Sequence, residues 1–316
     1  LNNRPYVSAE KRALIERIIA ETGFVPSQRA RGLSKRRSFI FGLLIPYTSD
    51  QIFADPHLLE CIRGIEDEAN RHDYNMLLST AREPAEAASA CMRLLRSDVI
   101  DGAIVLETLD LQPFADVLGQ QEAPMVAIGY AQSLALHAIH ADDYHGTLGA
   151  MQHLLALGHR RIGVLGSALR PFAVEERLRG VHAALADHGL ALEEGMLALG
   201  DFSIESGEQA GRALLTHPNR PSAIFAVNDR MALGVMRAAR ELGISVPNEL
   251  SIIGFDDIPM AEMALPPLTT VRQPGFALGG AAAQALFALL GGDAPPPAAV
   301  VPTKLIMRGT TAPPQP

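Results

Sequence analysis

The chain has 316 residues, of which 48% are hydrophobic and 20% charged, a composition ordinary for a globular protein with about two domains. No run of 18 apolar residues and no apolar signal-peptide core is present, so we expect neither a membrane span nor export. Two cysteines without metal-type spacing, Cys61 and Cys91, predict reduced thiols in a cytoplasmic protein.

The N-terminal segment differs in charge from the rest of the chain. Its first 37 residues carry 9 Lys/Arg against 3 Asp/Glu, whereas the other 279 carry 18 against 32. A basic arm joined to an acidic body is typical of nucleic-acid contact. Within the arm, Ser8 as a cap and Glu10 in the first turn predict a helix that ends at Thr22. The basic segment 27–34 contains Gly32, and we expect it to be helical only when a partner holds it.

From Phe39 onward, apolar runs alternate with helix-like stretches. Such a pattern indicates parallel sheets with right-handed crossovers, and hence an α/β protein with two doubly wound lobes. A late helix at 276–290 and a strand at 300–307 are expected to cross back between the lobes. The predicted strands are 40–45, 75–78, 102–106, 124–128, 161–165, 196–199, 223–227 and 250–255. The predicted helices are 57–71, 84–95, 111–119, 144–157, 173–188, 204–216 and 230–242.

Ligands of such sheets bind beyond the carboxyl ends of the strands, and several polar residues fall at that edge of the second lobe. A guanidinium, a carboxylate and two amides can bracket neighbouring hydroxyls, and an aromatic ring can cover an apolar sugar face. The candidates are Arg177, Phe202, Asn228, Asp256 and Gln273.

Other interpretations of this edge stay open. Asp229 and Asp257 suit helix or turn caps. Arg177 could instead pair with Glu175 or Glu176 at the surface, and Phe202 could belong to the core.

An enzyme or a metal site is not expected. Asp256 and Asp257 are adjacent, so their side chains point in different directions and do not form an acid/base pair. No nucleophile elbow, dinucleotide fingerprint or phosphate-binding loop is present. The one group with metal-ligand chemistry straddles a strand, a turn and a helix start, and we predict no metal and no cofactor there. That group comprises His137, His140, Asp142, Asp143 and His145.

Several long motifs resemble the lactose-repressor-type (LacI family) bacterial transcription regulators, in order and over essentially the whole chain. Residues 1–8 and 23–26 are similar to the end of their helix-turn-helix headpiece, and 30–33 to their hinge helix. The remaining motifs are 158–162, 176–180, 228–234, 254–259 and 267–274.

The resemblance implies a cytoplasmic homodimer that binds operator DNA and is controlled by a small effector held between two periplasmic-binding-protein-like lobes. It implies headpiece residues 1–25, a hinge helix and linker at 26–38, and an effector domain at 39–316. The first lobe would comprise about 39–140 and 272–298, and the second about 141–271 and 299–316.

Family effector contacts are carried over onto the five candidates above, joined by His57 and Tyr130 in the first lobe. The resemblance makes Leu33 an apolar wedge in the DNA minor groove, although Leu33 alone would equally suit a dimer contact. The other DNA-binding residues implied are Arg29, Ala30, Arg31 and Lys35.

Some positions depart from the family pattern. The usual aromatic pair behind Pro56 is His57-Leu58, and the usual Asp-Arg after the strand 124–128 is Gly129-Tyr130. These changes leave the effector open between a sugar, the default, and a nucleobase. The base-reading helix would lie upstream of Leu1, and no residue here is assigned to it. The alternative function is a solute-binding protein without a DNA-binding role.

Overall fold

The computed structural model describes residues 8–22, 37–45, 52–80, 84–106, 123–130, 136–168, 172–297 and 299–315. The chain divides between Phe39 and Ile40 into two compact units. In the first unit, helix α1 covers Ala9–Thr22, and the Ser8 hydroxyl accepts a hydrogen bond from the backbone N–H of Lys11. The N-terminal helix is therefore confirmed, whereas the predicted basic segment 27–34 lies outside the described residues.

The second unit begins with the strands of a first lobe. The buried aliphatic residues of β1, β3 and β4 agree with a parallel sheet that helices cover on both faces. The elements of this part of the chain are β1 (Ile40–Ile45), α2 (Pro56–Arg71), β2 (Asn75–Thr80), α3 (Pro84–Arg96), β3 (Ala103–Leu106), β4 (Met125–Ile128) and β5 (His137–Ala141).

The chain then builds a second lobe of the same kind. Its central strands are again buried, and helices lie between consecutive strands. The elements are α4 (Asp143–Ala156), β6 (Ile162–Ser167), α5 (Phe172–Asp187), β7 (Leu197–Gly200), α6 (Ile204–Leu215), β8 (Ala223–Ala226), α7 (Asp229–Glu241), β9 (Ser251–Asp256), α8 (Pro259–Met263) and β10 (Thr269–Arg272).

The last elements return to each lobe in turn: α9 (Gly275–Gly291), β11 (Val300–Val301) and β12 (Lys304–Ile306). The first sheet has the strand order β11-β5-β4-β3-β1-β2, and the second β12-β10-β9-β8-β6-β7. All pairs are parallel except β10 with β12. The chain thus crosses between lobes three times, after β5, after β10 and between β11 and β12.

The expected strand at 300–307 is corrected by this pairing. Val300 and Val301 pair with His140 and Ala141 in the first sheet, whereas Lys304–Ile306 pair with β10 in the second. Two residues, Pro302 and Thr303, separate the strands, and Pro302 lacks the N–H that a continuous ladder requires. The second lobe therefore resumes after Val301 and not at about residue 299.

Glycines allow two helix pairs to approach closely next to the ligand edge. A Cβ on Gly279 of α9 would lie 2.0 Å from the Cys61 carbonyl oxygen, and one on Gly64 of α2 would lie 2.0 Å from the Phe276 carbonyl oxygen. A Cβ on Gly180 of α5 would lie 2.7 Å from the Tyr144 carbonyl oxygen at the start of α4. Only glycine permits these contacts, which position the first turn of α2 and the N-terminus of α4 at the cleft.

Candidate effector site

One cavity at the carboxyl ends of the strands is lined by residues of both lobes. All seven residues expected to bind the effector line this cavity, namely His57, Tyr130, Arg177, Phe202, Asn228, Asp256 and Gln273. Their separation in sequence is large, so the doubly wound topology is what brings them together.

Arg177 of α5 is held rigidly in the cavity wall. It is 6% exposed, and its Nε donates to Asp143 Oδ1 at 2.7 Å. Its Nη1 donates to the Val227 carbonyl and lies 4.0 Å from Asp256 Oδ1. The guanidinium carbon lies 3.7 Å from the centre of the Phe255 ring, a cation–π contact. The alternative of a surface pair is wrong, because the guanidinium is buried and committed to Asp143.

Asp143, the first residue of α4, connects Arg177 to the first lobe. Tyr130 follows β4, and its hydroxyl lies 3.1 Å from Asp143 Oδ2 and 3.1 Å from the Ala141 carbonyl oxygen, so its single O–H is shared between the two acceptors. Burial raises the pKa of Asp143, while Arg177 and Tyr130 oppose the shift. Burial, with the adjacent Asp143 carboxylate, also raises the pKa of Tyr130, so the phenol remains a hydrogen-bond donor at neutral pH.

Tyr130 also forms an aromatic wall with His140. The two rings are stacked with centroids 4.1 Å apart. His140 Nδ1 donates to the Ala141 carbonyl oxygen at 2.9 Å, which fixes the orientation of the ring. A planar ring or an apolar sugar face can pack against such a wall.

A second set of hydrogen bonds joins Asp256, Gln273 and His57. The Gln273 amide donates to Asp256 Oδ1 at 3.2 Å and to His57 Nε2 at 2.8 Å. Burial lowers the pKa of His57 to about 4, with Arg177 acting in the same direction and Asp55 opposing. Burial raises the pKa of Asp256, and Arg177 opposes that shift. His57 therefore accepts as a neutral ring, and an interlobe hydrogen bond links the first turn of α2 to the second crossover.

Asn228 and Phe202 shape the wall next to α7. Asn228 caps α7, since its Oδ1 accepts the Met231 backbone N–H at 3.0 Å, and its Nδ2 donates to the Phe202 carbonyl at 3.1 Å. Phe202 has φ 71°, a conformation that non-glycine residues rarely adopt, and it also packs against the core of the second lobe. One donor and one lone pair of Asn228 remain for a ligand.

The other two acidic residues at this edge, Asp229 and Asp257, contact neighbouring groups of the second lobe and do not line the cavity. Asp229 is fully buried and accepts from the Thr270 hydroxyl and from the Ile258 N–H at 2.9 Å. Asp257 forms ion pairs with Arg272 and Arg308, at 2.6 and 2.7 Å. The helix cap here is Asn228 and not Asp229.

Sequence reasoning did not assign several residues of the site. Asp143 lies two residues after the end of β5, so the rule that placed Asp256 at the ligand edge also applies to it. Arg230 lies in the first turn of a helix that follows β8. The unassigned polar residues that line the cavity are Asp55, Cys61, His140, Asp143, Asp201 and Arg230.

The residues expected to contact DNA, namely Arg29, Ala30, Arg31, Leu33 and Lys35, lie outside the described residues, so their role stays a prediction. Within the described ranges, no three His, Cys, Asp or Glu residues are grouped to hold a metal ion. No helix of the described chain is long and apolar enough to cross a membrane.

Comparison with known proteins identifies the family of this chain. The periplasmic binding protein-like domain family matches residues 151–311. The HTH-type transcriptional repressor CytR of Escherichia coli (strain K12) is 33% identical over 282 residues, 88% of this chain and 81% of that protein. Catabolite control protein A of Priestia megaterium is 30% identical over 288 residues, 90% of this chain and 85% of that protein.

Two solved structures extend the match to nearly the whole chain. The lac repressor dimer bound to operator and the anti-inducer ONPF is 28% identical with a TM-score of 0.87, covering 98% of this chain and 93% of that chain. The transcriptional regulator CelR in complex with cellobiose is 28% identical with a TM-score of 0.81, over the same shares of the two chains. The chain therefore belongs to the LacI family of transcriptional regulators.

Proposed function

We propose that this protein represses transcription as a homodimer on operator DNA in the cytoplasm, under the control of a sugar or sugar derivative bound in the interlobe cavity. The observation that carries the proposal is the Arg177 cluster, in which one buried guanidinium touches Asp143 and Asp256 while Tyr130 reaches the same cluster from the other lobe. The relatives support the same function, since they include a transcriptional repressor and a regulator in complex with cellobiose.

The roles of the site residues follow from their geometry. Arg177 and Asp256 bind neighbouring hydroxyls, the first as a fixed donor and the second as an acceptor. Asn228 and Gln273 supply further amide contacts, and His57 accepts through Nε2 once the ligand displaces the Gln273 amide. Phe202 and Tyr130 pack against the apolar faces of the ligand.

The site is suited to regulation because it spans two lobes. A ligand shifts a conformational equilibrium only by binding one state better than the other. Tyr130–Asp143 and His57–Gln273 are hydrogen bonds between lobe surfaces at the cavity, and an effector that competes for these groups changes the relative stability of the lobe arrangements. The lobes then act on the hinge segment that precedes Ile40.

The pocket assignment can be tested by calorimetry on the wild type and Asp256→Ala. Removing the carboxylate leaves buried donors unpaired, and we expect a loss of about 2–5 kcal/mol in effector binding. Asp187→Ala, a change at an exposed aspartate at the end of α5, serves as the matched control. Equal affinity in wild type and Asp256→Ala would remove Asp256 from the site.

The regulatory role needs a DNA measurement. A protein with a complete headpiece should select one operator from random duplexes, and the effector should change its anisotropy-measured affinity by tenfold or more. A protein that binds effector but selects no duplex would instead be a solute-binding protein.

A further inference from the structure

Arg230 is a charged residue of the cavity wall that makes no ion pair with the described residues. It lies in the first turn of α7, is half-buried and lines the cavity. Among the described residues it has no carboxylate within 4.0 Å and no hydrogen-bond partner. Arg177 in the same cavity, by contrast, contacts Asp143, Val227 and Phe255.

The position of Arg230 is unfavourable for stability alone. The N-terminal turn of a helix bears partial positive charge, so a cation there is repelled. The acid beside it, Asp229, is directed to Thr270 and Ile258 in the protein interior. Neither the helix nor its neighbours therefore account for an arginine at this position.

Every carboxylate that lines the cavity already has a partner. Asp143 binds Arg177, and Asp256 accepts from Gln273. Asp55 accepts the His57 backbone N–H at 2.9 Å, and Asp201 accepts that of Ser203 at 3.0 Å. In the described part of the cavity wall, the guanidinium of Arg230 is thus the side-chain charge that has neither a hydrogen bond nor an ion pair.

We propose that the effector bears an anionic group, a carboxylate or a phosphate, which Arg230 binds while the Arg177 cluster holds its hydroxyls. This assignment rests on the proposed function of the cavity. A planar guanidinium offers two parallel N–H donors that match either anion, and a charged pair in a partly desolvated wall is stronger than one at the surface. A neutral sugar would leave this half-buried cation without a partner.

Matched ligands separate the proposal from simple sugar binding. Calorimetry would compare glucose with glucuronate and glucose 6-phosphate, and ribose with ribose 5-phosphate, on the whole chain. We expect at least one anionic compound to bind about tenfold or more tightly than its neutral partner, and the carboxylate and phosphate series tell the two anions apart. A panel in which no anionic compound binds better than its neutral partner overturns the proposal.

Variants test whether Arg230 is responsible. Arg230→Gln should weaken the anionic ligand by about 10- to 100-fold, as expected for a lost charged hydrogen bond, and should abolish the preference over the neutral partner. Arg240→Gln, a change at an exposed residue in the last turn of the same helix, should leave both unchanged. The thermal midpoint of Arg230→Gln should equal or exceed that of wild type, which excludes misfolding. Retained anion preference in Arg230→Gln overturns the proposal.

Failure of this inference differs from failure of the proposed function. If only the inference fails, a neutral compound binds, Asp256→Ala loses it and Arg230→Gln keeps it. If the proposed function fails, no compound that binds changes operator affinity, whatever its charge.

Discussion

Replacing Arg177 by Met should destabilise the protein far more than a surface ion pair would. Met keeps an apolar stem beside the Phe255 ring but removes the charge, so Asp143, which is 2% exposed, loses its cationic partner. Breaking one partner of a buried ion pair costs about 3–5 kcal/mol, whereas replacing both partners costs much less. We therefore expect a loss of about 3–5 kcal/mol in the free energy of unfolding for Arg177→Met, of which Asp143→Asn in the same chain restores half or more.

The loss of stability in Arg177→Met should also depend on pH, and it should grow as pH rises. Burial already raises the pKa of Asp143 above its unfolded value of about 3.8, and Arg177 opposes this shift. Without Arg177 the folded-state pKa rises further, so the folded state binds more protons than the unfolded state over a wider range. Stability then falls as pH increases through that range. The defect of Arg177→Met should be smaller at pH 5 than at pH 8.

Urea denaturation followed by circular dichroism, at both pH values, measures these quantities. The comparison needs wild type, each single variant and the double variant, because coupling within a contacting pair is the difference between them. A defect below 1 kcal/mol, or one that Asp143→Asn does not relieve, would refute the view that an uncompensated buried carboxylate is its cause.

Three further changes have clear expectations. Gly279→Ala should lower the free energy of unfolding by about 1–3 kcal/mol or more, because its Cβ would lie 2.0 Å from the Cys61 carbonyl oxygen. In the matched control Gly280→Ala the nearest atom lies 3.8 Å from the new Cβ, so thermal unfolding should show no loss of stability. The folded-state pKa of His57 is about 4, so as pH falls the unfolded chain binds a proton at this residue before the folded chain does. The free energy of unfolding of the wild type should therefore fall by up to about 3 kcal/mol between pH 7 and pH 4. Urea titrations that show the same loss in His57→Gln would contradict this. With a complete headpiece, Leu33→Ala should weaken operator binding more than binding to scrambled duplex, and anisotropy showing equal losses would argue against a minor-groove wedge.

Much of the fold could be predicted because parallel strands are buried on both faces and therefore appear as short apolar runs. Strand β1 (Ile40–Ile45) was predicted with its observed bounds. The ends of the chain were harder, because β11 has two residues and β12 three, and which sheet each joins depends on partners more than 25 residues away along the chain. No local periodicity contains that information.

The site was predictable to the extent that topology decides it. Asp256 is the last residue of β9 and Asn228 lies two residues after β8, so the edge rule places both at the cavity. The rule does not say what each side chain does there. Asn228 caps α7, and the partner of Arg177 is Asp143, 34 residues earlier, brought near by the close approach of α4 and α5. The positive φ of Phe202 and Asp256, 71° and 111°, likewise depends on tertiary contacts.

The three crossings between lobes have a consequence for how the protein is made. Helix α9 and strand β11 complete the first lobe, yet they follow nearly all of the second lobe in the chain. The ribosome synthesises α2 early, and about 200 further residues are translated before α9 follows. Helix α9 is the one that packs against α2 through Gly64 and Gly279. The second lobe also lacks β12 until the end, but its helices and five of its six strands come from one continuous stretch. The lobe that is translated first therefore stays incomplete until late in synthesis. Until α9 is made, the apolar face of α2 stays exposed to solvent and to other chains.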